Sequence, residues 1–413
     1  MRWNSWIMTV CICAAGIATP AFAQRGGETP AATVAPAATL PGPDDPTKIM
    51  VDRLDLEKYK ATIKGLTQFG DRRQGTERNR KAVDWIETQL KSYGCTNTER
   101  IIYEYNPPPP NPGNQGAGAR GPNPFGPSGA RIRGYRIPES VNNDPNKQPD
   151  VRLRELNMEP SQPGRREEVY CTKIGTTHPE DMYIVSGHMD GIGWGEAAND
   201  DASGTALVME VARVFSSPDV QTERSIRFIL WNNEESGLSG ARAYVQQRQG
   251  LQGKEDPSGS RKYPEPKWLG MIQHDMMLFD HGMPRADGTM SRVQRPEADV
   301  NIEFQMNSKM AAQSQALAWA FRQANELYAT DYPAAVGNHM TNTDSTPFMD
   351  IVASISLREN ERGSQIGAGW DPQHHQPTDV FTTYYDKDFR LGLNAAQTTL
   401  AAVAQLSGAM VKK

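Results

Sequence analysis

The amino-acid sequence predicts an α/β fold, a mixed and largely parallel central sheet with helices on both faces. From residue 168 onward, short apolar runs alternate with longer helical periodicities, the pattern of strands connected through helices. Acids and histidines fall just past the carboxyl ends of those runs, where open α/β sheets keep their ligand crevice. The chain shows no internal repeat, so a single large domain over residues 47–413 is the simplest count.

Before that domain, residues 1–23 carry Arg2, an apolar stretch through Ile7, Val10, Ile12 and Ile17, and then Ala21-Phe22-Ala23. This is the pattern of a signal peptide cleaved after Ala23, and its apolar core is short for a membrane span, which takes about 20 residues. Residues 24–46 are rich in Ala, Pro, Gly and Thr without periodicity and read as a flexible linker. The expected location is therefore secreted or periplasmic. Cys11 and Cys13 leave with the signal, and Cys95 and Cys171 remain, open to one disulfide or to two buried thiols. Neither has a C-x-x-C partner that would suggest a metal site. A net charge of -5 over 413 residues calls for neither nucleic acid nor an anionic membrane as a partner.

Within the domain, Val83, Ile86, Leu90 and Tyr93 share one face of a helix over 76–93 that Gly94 stops, and a strand follows over 95–105. Residues 106–166, with four prolines at 107–110 and many glycines, have a composition that cannot bury enough surface to fold alone. They read as a surface insertion, either a flap at the site rim or an unstructured excursion. Strands are then expected over 169–174 and 182–187, a helix over 202–215, a strand over 225–231 and a helix from 240. A strand over 269–273, a helix over 309–328, a strand over 351–357 and a helix over 389–409 complete the set.

The strand ends deliver the candidate chemistry. The run 182–187 leads into His188-Met189-Asp190, where the two outer side chains point to the same side of an extended segment. Asp190 can then accept the imidazole N–H that His188 does not offer to a metal. Asp200 could cap the helix at 202, worth about 1 kcal/mol, but Asp201 and Ser203 can cap it too, which leaves Asp200 free to bridge two cations. Glu234 and Glu235 follow the run 225–231 and can divide the labour, one binding metal while the other takes a proton from water. Asp275 and His375 complete two metal sites, and His374 competes with His375 on local grounds. His178, His281 and His339 have no usable partner spacing. Trp194 and Trp370 read as packing residues or as walls of a side-chain pocket.

Six segments carry a resemblance: Ser186-Gly187-His188-Met189-Asp190, Ala198-Asn199-Asp200-Asp201-Ala202-Ser203-Gly204, Phe228 to Gly237, Gln273-His274-Asp275-Met276, Asp344-Ser345-Thr346-Pro347-Phe348 and His375-Gln376-Pro377-Thr378-Asp379. In order and rough spacing they resemble the M28 family of two-zinc metallopeptidases, which includes secreted bacterial aminopeptidases with a zinc-exopeptidase fold of the phosphorylase/hydrolase type. The resemblance implies two zinc ions bridged by Asp200, one also held by His188 and Asp275 and the other by Glu235 and His375. It makes Glu234 the general base, Asp190 the partner of His188, and peptides the substrates. It selects His375 over His374, because the family's final histidine stands four residues before an aspartate. It also implies a strained peptide after Asp200, with a cis bond as one form.

The chain departs from the pattern at Asn232-Asn233, where the family often has Asp-Gly before its glutamate pair. No inserted domain fits between 191 and 197, and further insertions at 246–267 and 282–300 would sit near the pocket. The leading expectation is an aminopeptidase releasing N-terminal residues. A carboxypeptidase, a dipeptidase or a one-zinc glutaminyl cyclase on the same fold, or a silent binding member, are the alternatives. A silent relative has no physical need to keep all five ligands and Glu234.

Overall fold

The strand delivering His188 lies in the middle of the sheet and reads as a continuous apolar run because both its faces are covered. In the computed structural model, which describes residues 40–107, 141–280, 300–340, 342–359 and 371–412, this strand spans His178–His188 and its last five residues are all buried. The expected signal peptide, most of the linker, Trp370 and His281 lie outside the described residues.

In chain order the elements are α1 Pro46–Val51, α2 Leu56–Thr67, α3 Glu77–Ser92, β1 Thr98–Tyr105, α4 Val151–Asn157, β2 Gly164–Lys173, β3 His178–His188, α5 Ala202–Phe215, β4 Val220–Gln221 and β5 Arg224–Trp231. They continue with α6 Ser239–Arg248, β6 Lys267–His274, β7 Val300–Phe304, α7 Ala311–Tyr328, β8 Ala334–Gly337, β9 Ser354–Glu359, α8 Asp386–Ser407 and β10 Met410–Val411. Eight strands form one sheet in the order β1-β2-β5-β3-β6-β9-β7-β8. The inner four, β5, β3, β6 and β9, run parallel, while β1, β2 and β7 join antiparallel. Parallel neighbours need covered faces. Val169, Val185, Phe228 and Ile272 meet the residues of α3, α5 and α8 in one apolar cluster, and Tyr170, Ile184, Ile229 and Trp231 meet Tyr244 of α6 with Trp268 and Phe348 in the other.

The helix α5 begins and ends as the sequence predicts, because Asp201 caps it through the Gly204 N–H at 2.8 Å and all but one of its residues are buried. The earlier helix α2 was not anticipated. Tyr59, Thr62, Ile63 and Leu66 make its buried stripe, and Gly65 weakens the pattern locally, yet a Cβ there would stand 2.5 Å from the Trp85 ring. Cys95 and Cys171 form a disulfide with Cα atoms 6.2 Å apart, tying the start of β1 to β2.

Two expectations about insertions are corrected. Residues 141–163 are ordered, with α4 and an adjoining 3₁₀ turn at Pro145–Lys147, because their polar side chains bond to backbone of other loops instead of forming an apolar core. Gln148 Nε2 donates to the carbonyls of Trp194 and Pro377, both at 2.8 Å, and Asn157 Nδ2 donates to Gly195 O at 2.8 Å. Residues 108–140 lie outside the described residues. The segment 246–267 lies away from the strand ends that carry the acids, since it feeds the amino end of β6, where Lys267 pairs with Asp181 at the start of β3.

Candidate active site

Three parallel strands end side by side and set the site. His188 closes β3 opposite Trp231 of β5, and Gly187 pairs with His274 of β6, so Glu234, Glu235 and Asp275 follow directly from neighbouring strand ends. Asp201 ties these ends together: one oxygen accepts the N–H groups of Gly204 and Met276 at 2.8 and 3.1 Å, the other the N–H of His188 at 3.1 Å. With Asp201 so engaged, Asp200 is turned into the crevice across a cis Asp200–Asp201 peptide.

The two oxygens of Asp200 face different partners. Its Oδ1 lies 3.2 Å from His188 Nε2, which is 3.8 Å from Asp275 Oδ1. Its Oδ2 lies 3.0 Å from His375 Nε2, and that nitrogen is 3.0 Å from Glu235 Oε2. His374 Nε2 also reaches Oδ2, at 3.3 Å, with its ring 3.7 Å from that of His375. Both histidines therefore reach Asp200, and His375 is the one that also meets Glu235.

Nitrogen and oxygen donors on a tetrahedral zinc sit about 3.3 Å apart, given bonds of about 2.0–2.1 Å. The spacings here match that set, so His188, Asp200 and Asp275 on one side, and Asp200, His374 and His375 on the other, could each hold a metal ion, with Glu235 adjoining the second set through His375. The other oxygen of Glu235, Oε1, is buried without a hydrogen-bond partner. Desolvation, opposed by His375 and helped by Asp200, pushes the Glu235 carboxyl up to about 7, and a cation in reach would displace that proton. Desolvation also holds Glu234 well above the ordinary carboxylate range, with His188 opposing and Glu235, Asp344 and Asp275 reinforcing it.

Asp190 acts differently from the expectation. Its main-chain carbonyl, not its carboxylate, meets His188 Nδ1 at 3.0 Å; the carboxylate is 3.9 Å away. Oδ1 instead accepts the backbone N–H of Glu234 at 3.0 Å. The reason lies in the backbone, which brings the Asp190 carbonyl to the ring and sends the side chain beneath the neighbouring loop.

The sequence profile of peptidase family M28 matches residues 169–398, more than half of the chain. The chain belongs to peptidase family M28. Aminopeptidase YwaD of Bacillus subtilis is 43% identical over 68 residues, 16% of this chain and 14% of the relative. Carboxypeptidase Q of Homo sapiens is 35% identical over 72 residues, 17% and 15% of the two chains. A probable zinc metalloprotease of Pyrenophora tritici-repentis is 26% identical over 213 residues, 48% and 35%. The matched segments thus span well under two thirds of these relatives. Among solved structures, an aminopeptidase from Aneurinibacillus sp. strain AM-1 superposes with a TM-score of 0.57 at 18% identity, covering 89% of this chain and 97% of the other. A Porphyromonas gingivalis glutaminyl cyclase gives 0.52 at 14%, covering 86% and 99%. These likenesses show the fold.

The M28 chain's departure at Asn232-Asn233 has a structural account. Asn233 sits at φ 68, a left-handed conformation that glycine takes freely and asparagine tolerates best among the rest. Asn232 and Asn79 exchange a reciprocal pair of side-chain bonds at 2.9 and 3.0 Å, which fixes the loop entering Glu234.

Several contributors carry no local signal in the sequence. Arg72 is fully buried and donates to the carbonyls of Met189, Gly70, Glu196 and Ala197 at 2.7–3.0 Å, pinning the loop between His188 and Asp200. Arg358 pairs with Asp275 Oδ2, leaving Oδ1 toward His188. Asp379, which served only to select His375, accepts the N–H groups of Asn199 and Asp200 at 2.8 and 3.1 Å. Trp194 is half-buried under the Arg73 guanidinium, 5.9 Å from the ring, outside the core clusters.

Proposed function

We propose that the chain is an exported di-zinc aminopeptidase, hydrolysing peptides at the free N-terminus. The observation that carries this reading is the division of Asp200, whose two oxygens address two separate sets of imidazole and carboxylate donors. His188 and Asp275 would hold one zinc with Asp200, and Glu235 and His375 the other. Zinc bound there supplies Lewis acidity, which polarises a carbonyl and brings the pKa of a water to about 7.

The residues of the chain do the rest. Glu234, half-buried beside the candidate ligands and held by desolvation above the ordinary carboxylate range, takes the proton of the attacking water as the carbon–oxygen bond forms. When the carbon–nitrogen bond breaks, Glu234 returns that proton to the leaving amine. Asp190 holds the Glu234 main chain so that its carboxylate keeps its reach. Export is supported by the pattern of residues 1–23, and no helix among the described residues is long and apolar enough to cross a membrane.

The test is zinc content of the purified protein with hydrolysis of aminoacyl arylamides and N-blocked peptides, before and after chelation. Two zinc ions with chelator-sensitive release only from free N-termini supports the proposal. Release from the C-terminus of N-blocked peptides would move it to carboxypeptidase, and one zinc with ammonia release from N-terminal glutamine to cyclase.

A further inference from the structure

Behind the loop that carries Glu234 lies a cleft of about 190 Å³ that the peptidase chemistry does not use. Its walls include Gly75, Asn79, Arg80, Gln162, Arg165 and Arg166, with Glu167 as the acid among its lining residues. Three arginines face one carboxylate in a chain whose net charge is -5. Glu167 is already shared, accepting from Arg100 and from Arg165 at 2.7 Å each. Arg80 pairs with Glu77 on the solvent side, and both Arg80 and Arg165 keep half or more of their side chains exposed and free to turn.

Arg166 is different. It is 3% exposed, and among the described residues its guanidinium donates only to neutral oxygens: Gln74 Oε1 at 2.6 Å, Asn233 Oδ1 at 3.2 Å, and the carbonyls of Gly164, Arg165 and Gln162. It forms no ion pair with a carboxylate among the described residues. A buried charge is costly without a counter-charge: burial, together with nearby Arg80, draws its proton affinity down, while Tyr103, Tyr105 and Glu104 oppose the shift and the Tyr105 ring lies 5.5 Å from the guanidinium. Gly75, at φ 79, makes room for it, since a Cβ there would stand 2.5 Å from its Nη2.

We propose that this cleft binds a small oxyanion with two negative charges, held by Arg80 and Arg165 against the buried charge of Arg166. Arg80 would turn from the exposed Glu77, and Arg165 from the half-buried Glu167, which keeps its bond to Arg100, to supply charge-assisted hydrogen bonds, with Arg166 supplying the field. The site is coupled to the catalytic loop. Arg166 and Asn79 line the cleft with one side and bond Asn233 and Asn232 with the other, while Gln74 links Arg166 to Ser236 Oγ at 3.4 Å.

Sulfate is the probe, titrated calorimetrically into the full chain at constant ionic strength, with zinc bound and again after chelation. One saturable site that survives chelation is expected, and the double variant Arg80→Ala/Arg165→Ala should weaken it roughly tenfold or more, the loss typical of charge-assisted hydrogen bonds. Both side chains are largely exposed, so the variant retains its fold, and Arg322→Ala, at an exposed arginine of α7 paired with Glu326, serves as the control. No saturable site after chelation, or equal affinity in the double variant, would overturn the proposal. The coupling to the loop rests on the aminopeptidase reading: sulfate should change kcat in the parent chain and not in the double variant. Binding without any such change would remove the coupling. Because the calorimetry needs no turnover, failure of the peptidase assay leaves the binding result standing.

Discussion

The backbone N–H of Glu234 donates to Asp190 Oδ1 at 3.0 Å, so the residue two positions after His188 positions the proposed base across a 44-residue separation. Asp190→Asn puts a donor amide where an acceptor oxygen is needed half the time and removes the charge. Outer residues of this kind are worth about 10–100-fold in activity. Steady-state kinetics should show kcat lowered by that amount with zinc content and KM unchanged; lost zinc would instead make Asp190 part of the metal-holding set.

Glu234→Gln keeps the shape and removes the proton acceptor. A general base contributes about 10²–10⁴-fold, so kcat should fall by that range while metal analysis still finds the parent zinc content. Retained turnover would exclude Glu234 from proton transfer.

Asp200→Ala removes both oxygens at once. Since one lies 3.2 Å from His188 and the other 3.0 Å from His375, both of the proposed zinc ions should bind more weakly. Competition with a chelator should show two weakened sites, and a variant that still carries two tightly held zinc ions would defeat the bridging role.

Arg72→Met should destabilise the fold without touching a ligand. It strands four carbonyls that the guanidinium now satisfies, and breaking a buried network of this size costs roughly 3–5 kcal/mol. Urea unfolding gives the number directly, and a change under about 1 kcal/mol would show that the loop finds other donors.

His274 sets an acid limb of stability. Burial, opposed by the Ser186 carbonyl, lowers its pKa from 6.5 to about 4, and Thr399 Oγ1 meets Nε2 at 2.8 Å. The folded value lies below the unfolded one, so the unfolded chain binds more protons between pH 6.5 and 4. The neutral ring's contribution, about 3 kcal/mol, is whole above pH 6.5 and is lost as pH falls through about 4. Denaturant midpoints for His274→Gln should vary less with pH across that window than those of the parent; parallel profiles would contradict the assignment.

Elements with a clean local period were legible. Helix α5 is apolar on nearly every side and starts at an aspartate cap, and the inner strands end in acids and histidines that no turn requires. The strand β7 escaped because its buried residues include Asn301 and Glu303, which satisfy each other at 2.7 Å and break the apolar pattern. The short strand β8 pairs with it and is only half-buried along its length. Residues 141–163 escaped for a related reason: their order comes from amide bonds to distant carbonyls, which composition does not register.

By itself the sequence carried the alternation of strands and helices and the strand ends where chemistry would sit, because period and position along a strand are local properties, while His188, Asp200, Glu234, Glu235 and Asp275 stood out as candidates through six ordered segments that resemble the family. Only the tertiary structure decided that His375 meets Glu235, that Asp190 serves Glu234 through its carboxylate, and that Cys95 joins Cys171. It also brought in Arg72, Arg166 and Arg358. These depend on distances between segments far apart in the chain, and a hydrogen bond or ion pair is fixed by where the fold brings two groups together, which no local pattern encodes.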